Sequence, residues 1–295
     1  MTDAAAEVRR ITTSCGLSLV AERFGVASSR PPVLLLHGGG QTRHSWGGTA
    51  QRLAARGSEA WTVDLRGHGD SDWASDGDYT TEAMVEDLDA VCAEIGSPPV
   101  LVGASMGGIV GLMSEGVLRP GRLRALVLVD IATRLEESGV ERIVSFMSAA
   151  PEGFATLEEA AGAIAAYRPD RPRPTNLEGL KKNLRRGADG RWRWHWDPAF
   201  LSDKSRGDRR RPDALGDAAR ALRVPTLLVR GRMSDMLSLE GVAAFRAQCP
   251  HAEFVDIADA GHMVVGDRND AFSDAVVAFI DRLPAVADED EEMAS

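Results

Sequence analysis

The sequence has few cysteines, and their arrangement matches no known framework. Cys15, Cys92 and Cys249 are the three in 295 residues; they lie far apart and form no Cys-x-x-Cys pair. An odd number at such spacing excludes a disulfide scaffold and a cysteine-rich zinc site. We therefore expect reduced thiols, a cytoplasmic protein and no bound metal.

The sequence also lacks an excess of positive charge. Its formal net charge is −10, and part of the negative charge lies in the acidic tail, residues 288–295, which we expect to be disordered. Proteins that bind nucleic acids need lysine and arginine on one face to contact phosphates. A nucleic-acid partner is therefore not expected.

No long apolar segment is present either. The first fifteen residues contain no apolar stretch of the kind found in signal peptides. Residues 97–114 carry no charge, but Gly103, Gly107 and Gly108 divide them into a strand, a turn and a helix. We expect neither a signal peptide nor a membrane span.

Short apolar runs bounded by glycine and proline are abundant, and they are typical of strands buried on both faces. They are Val33–Leu36, Ala60–Val63, Val100–Val102, Leu123–Val129, Val224–Val229 and Glu253–Ile257, preceded by two strands around Gly16. Helical patterns separate them, at Thr80–Ile95, Gly107–Leu118 and Asp270–Leu283. This alternation predicts an α/β fold with a mostly parallel central sheet and helices on both faces.

The alternation stops after residue 131. Residues 132–213 show helical patterns and polar loops without a convincing buried strand, and Thr156–Glu159 reads as a capping box that opens a helix toward Tyr167. We interpret this block as an inserted helical cap. The predicted core is then 1–131 and 214–287, followed by the tail.

A candidate nucleophile lies between the third core run and the next helix. Gly103, Ser105 and Gly107 form a Gly-x-Ser-x-Gly pattern after a predicted strand and before a predicted helix. In that context the serine occupies a sharp, strained turn that exposes its hydroxyl, and small neighbours are required. The pattern predicts that Ser105 is a nucleophile.

A glycine-rich loop follows the first core run, at His37-Gly38-Gly39-Gly40. Glycines allow the backbone to approach a substrate oxygen closely, and backbone N–H groups there can stabilise an oxyanion. We expect the N–H groups of Gly39 and Met106 to form an oxyanion hole. Gly38 takes the place of Gly39 if the loop is displaced by one residue.

The base and the acid are expected to follow later strands. His262 comes just after the last predicted strand, where it can reach back to Ser105. Asp235, which follows the Val224–Val229 run, gives the chain order serine, aspartate, histidine and is the favoured acid. Asp130 is the alternative because it ends the preceding strand. The proposed chemistry needs no cofactor.

Together these motifs resemble the α/β-hydrolase superfamily, and the resemblance covers nearly the whole chain apart from the cap and tail. The segments that carry it are His37–Gly40, Asp64–Ser71, Gly103–Gly108, Asp235 and Gly261-His262. It implies ester or lactone hydrolysis. Carbon–carbon bond hydrolases and cofactor-free haloperoxidases remain alternatives, whereas epoxide hydrolases and haloalkane dehalogenases use an aspartate where this chain has Ser105.

The cap is expected to select the substrate. Trp192, Trp194 and Trp196 predict an aromatic wall over the site, with Phe146 and Met147 adding to it, so we expect a small, largely apolar molecule. An equal alternative is that these tryptophans hold the cap to the core. A non-catalytic ligand-binding protein on the same fold is the competing class of function.

Overall fold

The structure is a computed structural model that describes residues 6–169, 173, 175–202, 212–262 and 269–284. The acidic tail that was predicted to be disordered, residues 288–295, lies outside the described residues.

A sheet of eight described strands forms the centre. The strands are β1 Glu7–Thr12, β2 Ser18–Phe24, β3 Val33–Leu36, β4 Ala60–Asp64, β5 Val100–Ala104, β6 Ala125–Val129, β9 Thr226–Gly231 and β10 Glu253–Ile257. Their order in the sheet is β1-β2-β4-β3-β5-β6-β9-β10. β1 and β2 are antiparallel to their neighbours, and the other neighbouring strands pair in parallel. The predicted α/β fold with a mostly parallel sheet is confirmed.

Helices cover both faces of this sheet. These are α1 Gly47–Ala55, α2 Thr81–Ile95, α3 Met106–Met113, α7 Pro212–Ala221, α8 Leu239–Gln248 and α9 Asn269–Ile280, whereas α4 Glu137–Ser148, α5 Leu157–Tyr167 and α6 Leu177–Leu180 belong to the segment between β6 and α7. The helix predicted from Gly107 to Leu118 is α3 followed by a π-helical turn, Ser114–Leu118. No helix in the described part of the chain is long and apolar enough to cross a membrane.

The alternation of side chains along the central strands divides the core into two layers. In β3, Leu34 joins a cluster with Met84 of α2, whereas the next residue, Leu35, joins a cluster with Phe272 of α9. All four β3 residues are buried, as are those of β4, β6 and β9. Because both faces are covered, these strands read as continuous apolar runs.

The segment between β6 and α7 contains α4, α5, α6 and a hairpin of two short strands, β7 Leu184–Arg186 and β8 Trp192–Trp194. The hairpin was not predicted, because three-residue strands that are only partly buried leave little apolar pattern. Thr156 caps α5 by accepting a hydrogen bond from the Glu159 N–H at 3.2 Å. We call this segment the cap.

Close backbone packing at the start of α3 generates a stability prediction. A methyl group on Gly107 would lie 2.5 Å from the Leu36 carbonyl oxygen and 2.6 Å from the Leu36 Cβ. Gly107→Ala should therefore lower the free energy of unfolding by about 3 kcal/mol, since the crowding cannot be relieved without moving β3. Urea denaturation followed by circular dichroism measures this loss.

Gly47→Ala is the matched control. Gly47 begins α1, and nothing lies within 4 Å of a methyl group placed on it. Alanine is the better helix former, so this variant should be as stable as the wild type or slightly more stable. Equal stability of the two variants would contradict the packing argument.

Candidate active site

Ser105 occupies the sharp turn between β5 and α3. Its backbone lies at φ 46° and ψ −111°, a conformation that L-residues rarely adopt. The turn is very tight: a methyl group on Gly103 would lie 2.4 Å from the backbone of Gly107. The Ser105 N–H donates to the Val129 carbonyl at 3.1 Å, which holds the turn against β6. The local geometry is that of a strained strand-to-helix turn that presents the serine.

The glycine loop after β3 packs directly against this turn. A methyl group on Gly38 would lie 3.3 Å from the Ser105 Cβ, and the Gly107 N–H donates to the His37 carbonyl at 3.2 Å. The buried His37 ring secures the loop: its Nδ1 lies 2.8 Å from the Gly38 carbonyl, and its Nε2 accepts from the Leu65 N–H at 3.0 Å. The loop is therefore fixed relative to Ser105.

Two backbone N–H groups next to Ser105 remain available. The Gly38 N–H donates to Gln41 Oε1 at 2.9 Å, so it is occupied. Within the described residues, no acceptor lies in hydrogen-bonding geometry to the N–H of Gly39 or of Met106. The geometry therefore favours Gly39 and Met106 over Gly38 as donors to a ligand oxygen.

The imidazole of His262 is hydrogen-bonded to a buried carboxylate. His262 Nδ1 lies 2.7 Å from Oδ2 of Asp130, whose side chain is fully buried at the end of β6. Asp130 has a positive φ of 52°, and its Oδ1 accepts from the Gly231 N–H at 3.0 Å. Because β6 lies between β5 and β9, its end is close to both Ser105 and the residues after β10.

The structure does not place Asp235, the acid favoured from the sequence, beside His262. Its side chain is 47% exposed, and Oδ2 accepts from Nη1 of Arg142, on α4, at 2.9 Å. The loop after β9 folds back so that Ser234 points to Asp130, and a methyl group on Gly139 of α4 would lie 2.4 Å from the Asp235 carbonyl. The carboxylate that meets His262 is that of Asp130, the alternative weighed from the sequence.

A cavity of about 210 Å³ connects these groups. Ser105, His262, Gly38, Gly39 and Met106 all line it. Its remaining lining is mostly apolar, and no lysine, arginine, aspartate or glutamate is among the described residues that line it. A cavity of this kind suits an uncharged ligand, because an ion would lose its hydration without gaining a partner.

Residues of the cap close the cavity, but only some of the predicted ones. Phe146 and Met147 of α4 line it, as expected. Trp192, Trp194 and Trp196 do not, which corrects the predicted aromatic wall. Trp194 stacks on Trp196 with 5.0 Å between the ring centroids. The Trp194 ring also packs against the Phe146 ring, with 5.4 Å between their centroids.

Trp192 faces the outer surface of the cap instead. The amino group of Lys181 and the guanidinium of Arg186 lie over its ring, 5.9 and 5.8 Å from the centroid. Trp196 is buried, with its ring 3.4 Å from the position of a methyl group on Gly40. The tryptophans therefore hold the cap together and to the core, which was the alternative interpretation.

Several cavity residues were missed from the sequence. Gln41, Tyr167, Phe200 and Met236 line the cavity, although they belong to four separate segments with no common motif. Burial, and secondarily the Asp235 carboxylate, raises the pKa of Tyr167, so its phenol stays neutral. Only Gln41, which directly follows the glycine loop, carried a usable signal.

No cluster of three or more histidine, cysteine or acidic side chains that could hold a metal ion occurs within the described residues.

A buried histidine joins the cap to the glycine loop. His195 Nδ1 accepts from the Gly69 N–H at 2.7 Å, and Nε2 lies 3.3 Å from the Gly40 carbonyl. These partners require the neutral ring with the proton on Nε2. Burial, reinforced by nearby His37, lowers the pKa of His195 to about 3.

This pKa generates a pH-dependent stability prediction. Below about pH 6.5 the unfolded chain binds a proton at His195 that the folded protein excludes, so stability falls as pH falls. His195→Gln should be less stable than the wild type at pH 7, but its further loss from pH 7 to pH 5 should be smaller by about 2 kcal/mol. Urea titrations at both pH values measure the difference.

His251→Gln, at an exposed histidine, is the control. His37 remains buried in both variants, with its pKa lowered by burial, so some acid sensitivity is expected to persist. An unchanged pH dependence in His195→Gln would show that this ring is not kept neutral.

Comparison with known proteins identifies the family of the chain. The sequence pattern of the α/β hydrolase fold family matches residues 31–268. An esterase of Mycobacterium tuberculosis is 29% identical over 282 residues, which cover 93% of this chain and 89% of that protein. A 3-hydroxybutyrate-oligomer hydrolase of Cupriavidus necator is 32% identical over 213 residues, 68% of this chain and 71% of that protein.

The solved structures add likeness of fold. The crystal structure of an E-2-(acetamidomethylene)succinate hydrolase superposes with a TM-score of 0.83 at 23% identity, over 94% of this chain and 100% of that one. Since the family pattern covers most of the sequence and the central sheet is mostly parallel, this chain belongs to the α/β hydrolase fold family.

Proposed function

We propose that this hydrolase cleaves carboxylic esters of small, uncharged, largely apolar molecules through an acyl-enzyme on Ser105. The observation that carries the proposal is the cavity that Ser105 and His262 both line, with His262 hydrogen-bonded to the buried Asp130. A strained serine beside an imidazole oriented by a carboxylate is the arrangement that acyl transfer requires.

The hydrogen bond to Asp130 sets the direction of proton transfer. With the proton of Nδ1 donated to Asp130, the lone pair of His262 Nε2 is free to accept the Ser105 hydroxyl proton as the oxygen attacks the ester carbonyl. The imidazolium that forms is stabilised by the Asp130 carboxylate. It then donates its proton to the departing alcohol.

Negative charge on the carbonyl oxygen is assigned to the N–H groups of Gly39 and Met106. Both line the cavity, and the second begins α3, where the helix dipole adds to the stabilisation. Removal of one such donor typically raises a barrier by about 3 kcal/mol. A water molecule, with His262 again as base, then hydrolyses the acyl-enzyme.

The substrate class follows from the cavity. A volume of about 210 Å³ is below the range of about 300–1,000 Å³ typical of sites for drug-sized ligands, which favours a small acyl group. The absence of a charged side chain among its described lining residues disfavours carboxylate-bearing substrates. The name of one sequence relative, an esterase, agrees with ester hydrolysis.

The central test uses Ser105→Ala. The wild type should hydrolyse p-nitrophenyl butyrate and become covalently labelled by a fluorophosphonate probe. Loss of the nucleophile should lower kcat/KM by roughly 10⁴-fold or more and abolish labelling, because the reaction then has no acyl acceptor. Release of p-nitrophenol and intact-protein mass spectrometry provide the two measurements.

The p-nitrophenyl ester of succinic acid is the control substrate. It resembles the butyrate ester in length but adds a carboxylate, so its kcat/KM should be at least 10-fold lower in the uncharged cavity. Equal rates for wild type and Ser105→Ala would reject the acyl-enzyme. Turnover of vinylogous β-diketones without ester hydrolysis would indicate a carbon–carbon bond hydrolase.

A paired comparison of the two aspartates tests which carboxylate supports His262. Asp130→Asn should lower kcat/KM by about 10³–10⁴-fold, because the amide favours the wrong imidazole tautomer and no longer stabilises the imidazolium. Asp235→Asn changes an exposed carboxylate by the same isosteric substitution and should stay within about 3-fold of the wild type. A large loss in Asp235→Asn together with a small loss in Asp130→Asn would reverse the assignment.

A further inference from the structure

Ser234, on the loop after β9, contacts the carboxylate that orients His262. Its Oγ lies 2.5 Å from Asp130 Oδ2, the same oxygen that lies 2.7 Å from His262 Nδ1. An ionised carboxylate only accepts hydrogen bonds, so the single hydroxyl proton of Ser234 must be directed to Asp130. Oδ2 therefore receives two donors, one from the imidazole and one from the hydroxyl.

The backbone of the same loop holds this hydroxyl in place. Ser234 Oγ accepts from the N–H groups of Met236 at 3.1 Å and Leu237 at 3.2 Å. With its acceptor positions facing these two groups, the proton has one direction left, toward Asp130. Its orientation is thus determined by the loop and does not depend on a bound ligand.

The loop in turn is locked to the segment that carries His262. The Met233 N–H donates to the Ala260 carbonyl at 2.8 Å, and a methyl group on Gly231 would lie 2.3 Å from the Gly261 carbonyl oxygen. Ser234 thereby connects three strand ends, those of β6, β9 and β10. A displacement of its hydroxyl would alter the Asp130–His262 hydrogen bond directly.

We infer that Ser234 is a positioning residue for the proposed reaction: it acts through Asp130 to set the orientation and basicity of the His262 imidazole. The inference rests on the proposed function. A donor on Oδ2 withdraws negative charge from the oxygen that stabilises the protonated ring. With Ser234 present, less of that stabilisation is available to the protonated ring.

Other groups near this pair do not account for the same effect. Among the described residues that line the cavity, the other titratable side chain is Tyr167, whose pKa is raised by burial and whose phenol is neutral. The charges of Asp235 and Arg142 lie on the outer side of the same loop and pair with each other. Ser234 is the side chain that shares Oδ2 with the imidazole.

Ser234→Ala tests the inference. We expect kcat/KM for p-nitrophenyl butyrate to fall about 10-fold, mainly through kcat, since Ser234 is not among the residues that line the cavity. The midpoint of the acidic limb of the pH profile should move up by about 0.5 unit, because Asp130 would then stabilise the imidazolium more strongly. Ser234→Thr keeps the hydroxyl and should restore the wild-type midpoint.

Ser238→Ala is the matched control. Ser238 lies four residues along the same loop, is also half-buried, and its Oγ accepts from the Gly241 N–H at 3.2 Å as the N-cap of α8. Its loss should cost stability and leave the acidic limb in place. An acidic limb unchanged in Ser234→Ala, or moved equally in Ser238→Ala, would overturn the inference.

A readout independent of catalysis separates this inference from the proposed function. The His262 imidazole can be titrated by NMR in wild type, Ser234→Ala and Ser238→Ala. A wild type that neither cleaves esters nor reacts with the fluorophosphonate would reject the proposed function. The inference about Ser234 would still be decided by whether the His262 titration moves to higher pH in Ser234→Ala alone.

Discussion

The turn at Ser105 has almost no free space, and the arrangement of the site depends on that constraint. β5 must reverse into α3 within one residue, which places Ser105 at a positive φ and brings Gly103 against Gly107. The same compression presses α3 onto the glycine loop after β3 through Leu36 and His37. The strained serine and its neighbouring N–H groups are therefore consequences of one packing problem, which the surrounding buried strands make rigid.

The loop after β9 carries two roles on its two sides. Its inner side presents Ser234 to Asp130, and its outer side presents Asp235 to Arg142 of the cap. Met236, the next residue of the loop, lines the cavity. A single short segment thus connects the acid, the cavity wall and the cap. In this family member the carboxylate after β9 contributes to cap attachment, and the carboxylate after β6 contributes to the site.

Much of the site could be predicted because its members follow strand ends. The C-terminal ends of parallel strands meet at one edge of a sheet, so motifs after buried runs converge there. Ser105, His262 and the glycine loop were predicted in this way, as was Asp130 as an alternative, and the structure brings the first three to one cavity. Tyr167 and Phe200 line the cavity without a motif, because their positions depend on how the cap lies over the sheet. For the same reason the sequence left two interpretations of the cap tryptophans, a wall over the site or residues that hold the cap to the core.

The sequence by itself determined the sheet, the helices around it and the strained serine turn. Strands buried on both faces require continuous apolar residues, and a turn without free space requires glycines, so both features can be recognised from residue type. Only the tertiary structure decided which aspartate meets His262. Both candidates end or follow a strand at the correct edge, and their difference lies in a loop whose direction is set by hydrogen bonds to the neighbouring strand end at Ile257 and Ala260. Those bonds join residues distant in the chain. Every residue except proline offers the same backbone N–H and C=O groups, so the sequence does not indicate which of them pair.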